Sequence, residues 1–132
     1  MFMKSIQSLC LIQSILMKTD LSNATFIIPI RIESDDRLRN VVTSIAFLVE
    51  NFDTNIIVKE VDKESVFQTE VLPIFEEILE VDLWKNFHHI FERSEEPLFH
   101  RQRVLNEMIA ECETDIVVNY DCDVILPMQS YK

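Results

Sequence analysis

Residues 24–42, ATFIIPIRIESDDRLRNVV, place two hydrophobic patterns on either side of a short connection. The apolar run at 24–30 is typical of a strand that is buried on both faces of a sheet. Ser34 then stands where a helix N-cap is expected, and Asp35 and Asp36 follow in the first turn, where negative charge is favourable. Apolar residues recur at helical spacing after them. This stretch therefore predicts a buried strand followed by an amphipathic helix.

The same alternation of strand and helix continues along the chain. The patterns predict further strands at 55–61, 87–92 and 115–120, and further helices at 71–81 and 100–112. Strands that alternate with helices form right-handed βαβ units. We therefore expect an α/β fold, a Rossmann-like and mainly parallel sheet of about four strands with flanking helices.

The first residues fit this domain less well. Residues 1–23 contain an apolar stretch that Gln13 and Ser14 interrupt, which makes it too short to span a membrane. No small-residue cleavage site of a secretory signal follows it. We expect residues 1–23 to form a leader or peripheral helix, residues 24–132 to form the main domain, and no segment to be transmembrane.

Composition excludes several classes of function. The 132 residues carry a formal net charge of -11, which argues against a nucleic-acid partner because phosphates require a basic surface. Glycine is absent, so neither the P-loop nor the dinucleotide-binding fingerprint is present. A diphosphate ligand must therefore be held by side chains, helix N-termini or a metal ion.

The cysteines indicate a reducing compartment. Cys10, Cys112 and Cys122 are odd in number and lack a C-x-x-C spacing, so the pattern predicts neither a disulfide framework nor a zinc site. We expect a cytoplasmic protein. Cys122 is either a metal ligand or, as we favour, a buried strand residue that faces away from its neighbours.

Two aspartates follow the last predicted strand. Asp121 and Asp123 are two residues apart, so in extended backbone both carboxylates point to the same side. Their mutual repulsion is relieved if a cation lies between them, and oxygen ligands at such a position favour Mg²⁺ or Mn²⁺. Taken alone, two solvated acids at a strand end are the simpler interpretation.

The topology offers a place for a ligand next to these acids. In sheets of this kind ligands bind beyond the carboxyl ends of the strands, where the winding direction reverses. The first predicted strand ends at Ile30 and Arg31, and the fourth ends at Tyr120 and Asp121. If these two strands are neighbours, Arg31 and the aspartates open onto one crevice.

Three blocks of the sequence resemble the GT-A glycosyltransferases, especially the metal-dependent family 2 and β-1,4-galactosyltransferase-like enzymes. FIIPIRIE at 26–33 is similar to their opening strand, and FHRQRVLNE at 99–107 is similar to a helix start of that family. NYDCDVILPM at 119–128 is similar to the strand that carries their Asp-x-Asp motif, and IIVKEVD at 56–62 is a weaker fourth match. The blocks occur in the family's order.

The resemblance implies a set of site residues. Arg101 would point at the diphosphate from a helix N-terminus with Arg103 assisting, and Glu60 would lie near the uracil or ribose. Asp123 would be the main metal ligand. The implied nucleotide-sugar contacts are Pro29, Ile30, Arg31, Glu33, Glu60, Arg101, Arg103 and Asp121, and the implied metal ligands are Asp123 and Asp121.

The activity that the resemblance implies is sugar transfer from a nucleotide-sugar, UDP-linked by expectation, to a glycan or other hydroxyl acceptor, with Mn²⁺ or Mg²⁺ as cofactor. The catalytic base and the acceptor half are expected downstream of the chain end. A catalytically inactive nucleotide-sugar-binding or structural fragment is the alternative, and a nucleotidyltransferase is a weaker one. An uncovered sheet edge would lead to self-association.

Overall fold

The computed structural model of the chain describes residues 19–79 and 86–120. Within them four strands alternate with helices. The elements are β1 (Thr19–Ile30), α1 (Asp35–Asn51), β2 (Phe52–Asp62), a π-helix (Phe67–Val71), α2 (Leu72–Ile78), β3 (Phe87–Arg93), α3 (Arg101–Glu111) and β4 (Ile116–Asn119).

The strands form one parallel sheet in the order β3-β2-β1-β4. The chain moves outward from β1 through β2 to β3 and then returns to place β4 on the other side of β1. The winding direction therefore reverses between β1 and β4, where Ile27 pairs with Asn119. The predicted α/β, Rossmann-like sheet is confirmed, and so is the adjacency of the first and fourth strands.

One face of the sheet carries the larger core. The even-numbered residues Phe26, Ile28 and Ile30 of β1 pack there with α1 and α2 and have at most 3% of their surface exposed. Each such side chain contributes about 1.5–3 kcal/mol by leaving water. The unbroken apolar run at 24–30 is explained by the opposite face, where Ile27 is also completely buried.

The opposite face is covered by α3 alone among the described helices. Val104, Leu105 and Met108 of this helix pack on Ile27 and on Val61 of β2. The spacing of the three α3 residues is that of a single helical stripe. This smaller core holds the start of α3 against the carboxyl ends of β1 and β2.

The connection between β1 and α1 follows the sequence pattern. Ser34 has extended backbone, and its side chain accepts a hydrogen bond from the Arg37 amide, as an N-cap does. Asp35 and Asp36 occupy the first turn of α1. The predicted cap and helix start are therefore confirmed.

Three local features differ from the prediction. β1 begins at Thr19 rather than at residue 24, and its pairing with β2 shifts register between Leu21 and Thr25. β2 begins at Phe52, directly after α1, so no loop separates them. The π-helix ahead of α2 was not predicted, because its turn depends on the buried side chain of Glu60 in β2.

Across residues 19–79 and 86–120, no helix is both long and apolar enough to cross a membrane.

Candidate functional site

Arg31 leaves the carboxyl end of β1 and holds two neighbouring segments together. Its Nε donates to the carbonyl of Val61 at 2.8 Å, and its Nη1 donates to the carbonyls of Glu96 and Pro97 at 3.1 Å each. The guanidinium also lies 5.6 Å from the centre of the Phe99 ring. Arg31 is only 8% exposed, so it fastens the loop before α3 to the ends of β1 and β2.

One nitrogen of the Arg31 guanidinium makes none of these hydrogen bonds. The buried Nη2 atom of Arg31 has no hydrogen-bond acceptor among the described residues. A buried donor without a partner costs about 1–3 kcal/mol. Within the described part of the chain, this nitrogen is therefore an unsatisfied buried donor near the carboxyl end of β1.

Arg101 begins α3 and links it to the end of β4. Its Nη2 donates to the side-chain oxygen of Asn119 at 3.0 Å, while its side chain stays exposed. The next residue, Tyr120, donates its amide to the carbonyl of Ile27 at 3.1 Å. Arg101 therefore lies beside the end of β4. In the sequence, Asp121 directly follows Tyr120.

Among the described residues, no side chain caps the N-terminus of α3. The N-cap residue His100 makes no side-chain capping hydrogen bond, and no acidic residue stands in the first turn. A helix N-terminus carries about half a positive charge, which Arg101 reinforces. Positive charge is therefore concentrated locally on a chain whose net charge is -11.

Arg103 makes a different set of contacts. It donates to Glu92 at 2.9 Å and to Glu107 at 2.7 Å, and both acids also lie within 4 Å of the Lys59 ammonium. The four side chains form a closed ring that ties α3 to β2 and β3. The hydrogen bonds that Arg103 donates to Glu92 and Glu107 raise the pKa of Arg103. The hydrogen bonds that Glu107 accepts from Lys59 and Arg103 lower the pKa of Glu107.

Glu60 is completely buried at the end of β2. Its Oε1 accepts from Ser65 at 2.7 Å and contacts His89 Nε2 at 3.2 Å, while its Oε2 accepts from the amides of Val66 and Phe67 at 2.9 and 3.1 Å. Burial alone raises the pKa of Glu60, but the hydrogen bonds from His89, Ser65 and Phe67 outweigh it and leave the pKa lowered. All four of these partners are groups of the chain itself, so the Glu60 carboxylate is held without a ligand.

A pocket of about 330 Å³ opens between the first turn of α1 and the segment before α2. Glu33, Asp35 and Glu70 contribute carboxylates to it, so it disfavours phosphate and suits groups that donate hydrogen bonds. The residues that line the pocket are Ile32, Glu33, Ser34, Asp35, Leu38, Val66 and Glu70.

The structure thus brings some of the predicted site residues together and separates others. Arg31 holds the loop that leads into α3, Arg101 at the start of α3 contacts the end of β4, and Glu33 lines the pocket beside β1. Pro29 and Ile30 are buried within β1, and Ile30 belongs to the core. Their side chains are therefore not exposed at the carboxyl edge of the sheet.

The acidic pair lies outside the described residues. Asp121, Cys122 and Asp123 follow the last described residue, Tyr120, so the predicted metal ligation remains a prediction. Within residues 19–79 and 86–120, no group of three or more His, Cys, Asp or Glu side chains is arranged to hold a metal ion.

The two histidines of β3 lie on opposite faces of the sheet. His89 stacks on the Phe67 ring at 4.4 Å and contacts Glu60, whereas His88 lines a separate cleft on the α3 side of the sheet. The ring around Lys59 was missed, because its members come from three elements and share no sequence motif.

No family model, curated protein or solved structure matches the chain.

Proposed function

We propose that the chain is the nucleotide-sugar-binding portion of a metal-dependent glycosyltransferase of the GT-A type. The donor would be a nucleotide-sugar, with UDP as the expected nucleotide, and the acceptor a glycan or another hydroxyl compound. The cofactor would be Mn²⁺ or Mg²⁺. The odd number of cysteines and the lack of a C-x-x-C spacing support a cytoplasmic location.

The observation that carries this proposal is the reversal of winding between β1 and β4. It brings Arg31, the start of α3 and the end of β4 to one edge of the sheet. Parallel α/β sheets bind ligands at this edge. The first block that resembles GT-A enzymes includes the end of β1, the second includes the start of α3, and the third begins at Asn119 and Tyr120, where the described part of the chain ends.

Each proposed residue has a chemical task at this edge. Arg101 and the uncapped N-terminus of α3 would bind diphosphate oxygens by charge-assisted hydrogen bonds. A divalent ion held by Asp121 and Asp123 would neutralise charge on the leaving group. The acceptor oxygen would then attack the anomeric carbon, lose its proton to a base, and displace the nucleoside diphosphate.

Calorimetric titration of UDP tests the proposal. We expect binding that requires Mn²⁺, and we expect Asp123→Ala to weaken it by at least about tenfold, since one charged ligand of the metal is lost. Asp115→Ala is the matched control, because Asp115 is an exposed aspartate before β4 and should not affect binding. Binding that is independent of both Mn²⁺ and Asp123 would contradict the proposal.

A second candidate is a catalytically inactive nucleotide-sugar-binding or structural fragment. The engagement of Arg31 and Glu60 in internal hydrogen bonds favours it, because neither side chain needs a ligand to be held. Incubation with UDP-sugar and Mn²⁺ separates the two candidates. Release of UDP above the background of Asp123→Ala favours the enzyme, and binding without release favours the inactive fragment.

A further inference from the structure

The pocket beside β1 has two walls of different construction. One wall is formed by the end of β1 and the capped first turn of α1, which includes Glu33 and Ser34. The other wall is formed by Val66 and Glu70, which lie in and just before the π-helix. Contacts outside the pocket hold this second wall in place.

Those contacts converge on Glu60. Its Oε2 accepts the amides of Val66 and Phe67, and its Oε1 accepts the Ser65 hydroxyl. Ser65 in turn accepts the Gln68 amide at 3.0 Å. The first turn of the π-helix and the residues just before it are thus hydrogen-bonded to one buried carboxylate at the end of β2.

His89 supports this carboxylate from β3. Its Nε2 lies 3.2 Å from Glu60 Oε1, and its ring stacks on Phe67 at 4.4 Å. The ring and the carboxylate thus contact the same turn from two sides. π-helices are rare in proteins. The hydrogen bond from the Leu72 amide to the Phe67 carbonyl, five residues earlier, shows the widened turn directly.

We propose that Glu60 and His89 are positioning residues that fix the Val66–Glu70 wall of the pocket and thereby set its affinity for the nucleoside end of the ligand. Neither side chain lines the pocket. The inference rests on the proposed function for the identity of the ligand. The acidic lining turns the diphosphate away from this pocket and toward Arg101, so the two ends of the nucleotide are bound by separate groups.

The first experiment compares Glu60→Leu with Glu60→Gln. Leucine removes the acceptor of three hydrogen bonds, whereas glutamine keeps an oxygen for the Val66 and Phe67 amides. We expect these two amides to exchange with solvent at least about tenfold faster in the leucine variant and close to the wild-type rate in the glutamine variant. Glu92→Gln removes an acid from the other face of the sheet and is the control.

The second experiment measures binding of UDP and of inorganic pyrophosphate, each with Mn²⁺. We expect Glu60→Leu to weaken UDP by about tenfold and to leave pyrophosphate within about twofold, because only UDP reaches the pocket. Glu60→Gln should restore UDP binding. Equal losses for both ligands, or unchanged UDP binding despite faster amide exchange, would overturn the inference.

Two further variants guard against loss of folding. Ser65→Ala and His89→Phe each remove one partner of Glu60, and phenylalanine keeps the stacking on Phe67. We expect each variant to bind UDP about threefold more weakly than the wild type and to bind pyrophosphate as the wild type does. If wild-type protein binds no UDP, the proposed function fails, and exchange at Val66 and Phe67 alone then decides whether Glu60 holds the wall.

Discussion

At the scale of single residues, the most informative side chain is Arg31. The sequence placed it at the end of the first strand as a ligand contact, and the structure gives it three backbone carbonyls to hold. Its buried Nη2 has no acceptor among the described residues. The internal bonds fix the guanidinium in advance, which would reduce the entropy lost if Arg31 contacts the proposed ligand.

We predict that Arg31→Met lowers the free energy of unfolding by about 2–3 kcal/mol, because one buried and two partly buried hydrogen bonds to carbonyls disappear together. Urea denaturation followed by circular dichroism measures the change. Arg39→Met is the control: Arg39 is exposed and paired only with Asp36, so its loss should stay within about 0.5 kcal/mol. Equal effects of the two substitutions would show that the contacts of Arg31 carry no stability.

Glu60 leads to a prediction about pH. Its pKa is lowered in the folded state from the ordinary value of 4.5, so the unfolded chain binds more protons in the acid range. The resulting stability is fully present above the unfolded pKa and is lost as the pH falls through the folded pKa.

We expect Glu60→Gln to flatten the decline in stability that the wild-type protein shows as the pH falls below the ordinary carboxyl pKa of 4.5. Urea denaturation at a series of pH values provides the comparison. Glu76→Gln, which removes an exposed carboxyl from α2, should keep the wild-type decline. A parallel decline in Glu60→Gln and wild-type protein would contradict the role assigned to this carboxylate.

At the scale of elements, the helix and strand types followed from local chemistry. The Ser34 cap and the two acids after it predicted the start of α1, and the apolar run at 24–30 predicted a strand covered on both faces. The start of β1 was placed too late, because residues 19–23 alternate in burial and lack the continuous apolar run. The π-helix was missed, since its support comes from Glu60 and His89, which lie on other elements.

The cap of α1 gives a prediction of its own. Ser34→Ala removes the acceptor of the Arg37 amide and should cost about 1 kcal/mol of stability. Urea denaturation measures it against Ser22→Ala, an exposed serine in β1 that caps no helix and whose loss should stay within about 0.5 kcal/mol. A Ser34→Ala variant as stable as the wild type would mean that water replaces the cap.

At the scale of the whole molecule, the strand order explains why distant blocks of sequence meet. Alternating strands and helices made the parallel sheet predictable, but the neighbour of β1 could only be stated as a condition. That condition holds, since β4 pairs with β1. The ring of Lys59, Glu92, Arg103 and Glu107 could not be foreseen, because long charged side chains select partners only once α3 is docked.

The sheet also predicts self-association. In the described part of the chain β4 pairs only with β1, and Ile116 at its start is 47% exposed. We expect light scattering to show an average mass that rises with concentration, because an open edge and exposed apolar groups favour pairing. Ile116→Lys should suppress the rise, whereas Leu98→Lys, on the loop before α3, should not. A constant monomer mass would refute this prediction.

The central claim is that the edge shared by β1, α3 and β4 binds a divalent ion next to a diphosphate. Its most direct test is the broadening of amide NMR signals by Mn²⁺ in the presence of UDP, with Asp123→Ala as control. We predict that the signals of Arg101, Asn119 and Tyr120 broaden first, that those of Thr19 and Phe87 at the other end of the sheet remain sharp, and that Asp123→Ala abolishes the effect. Uniform broadening, or broadening centred away from Tyr120, would contradict the claim.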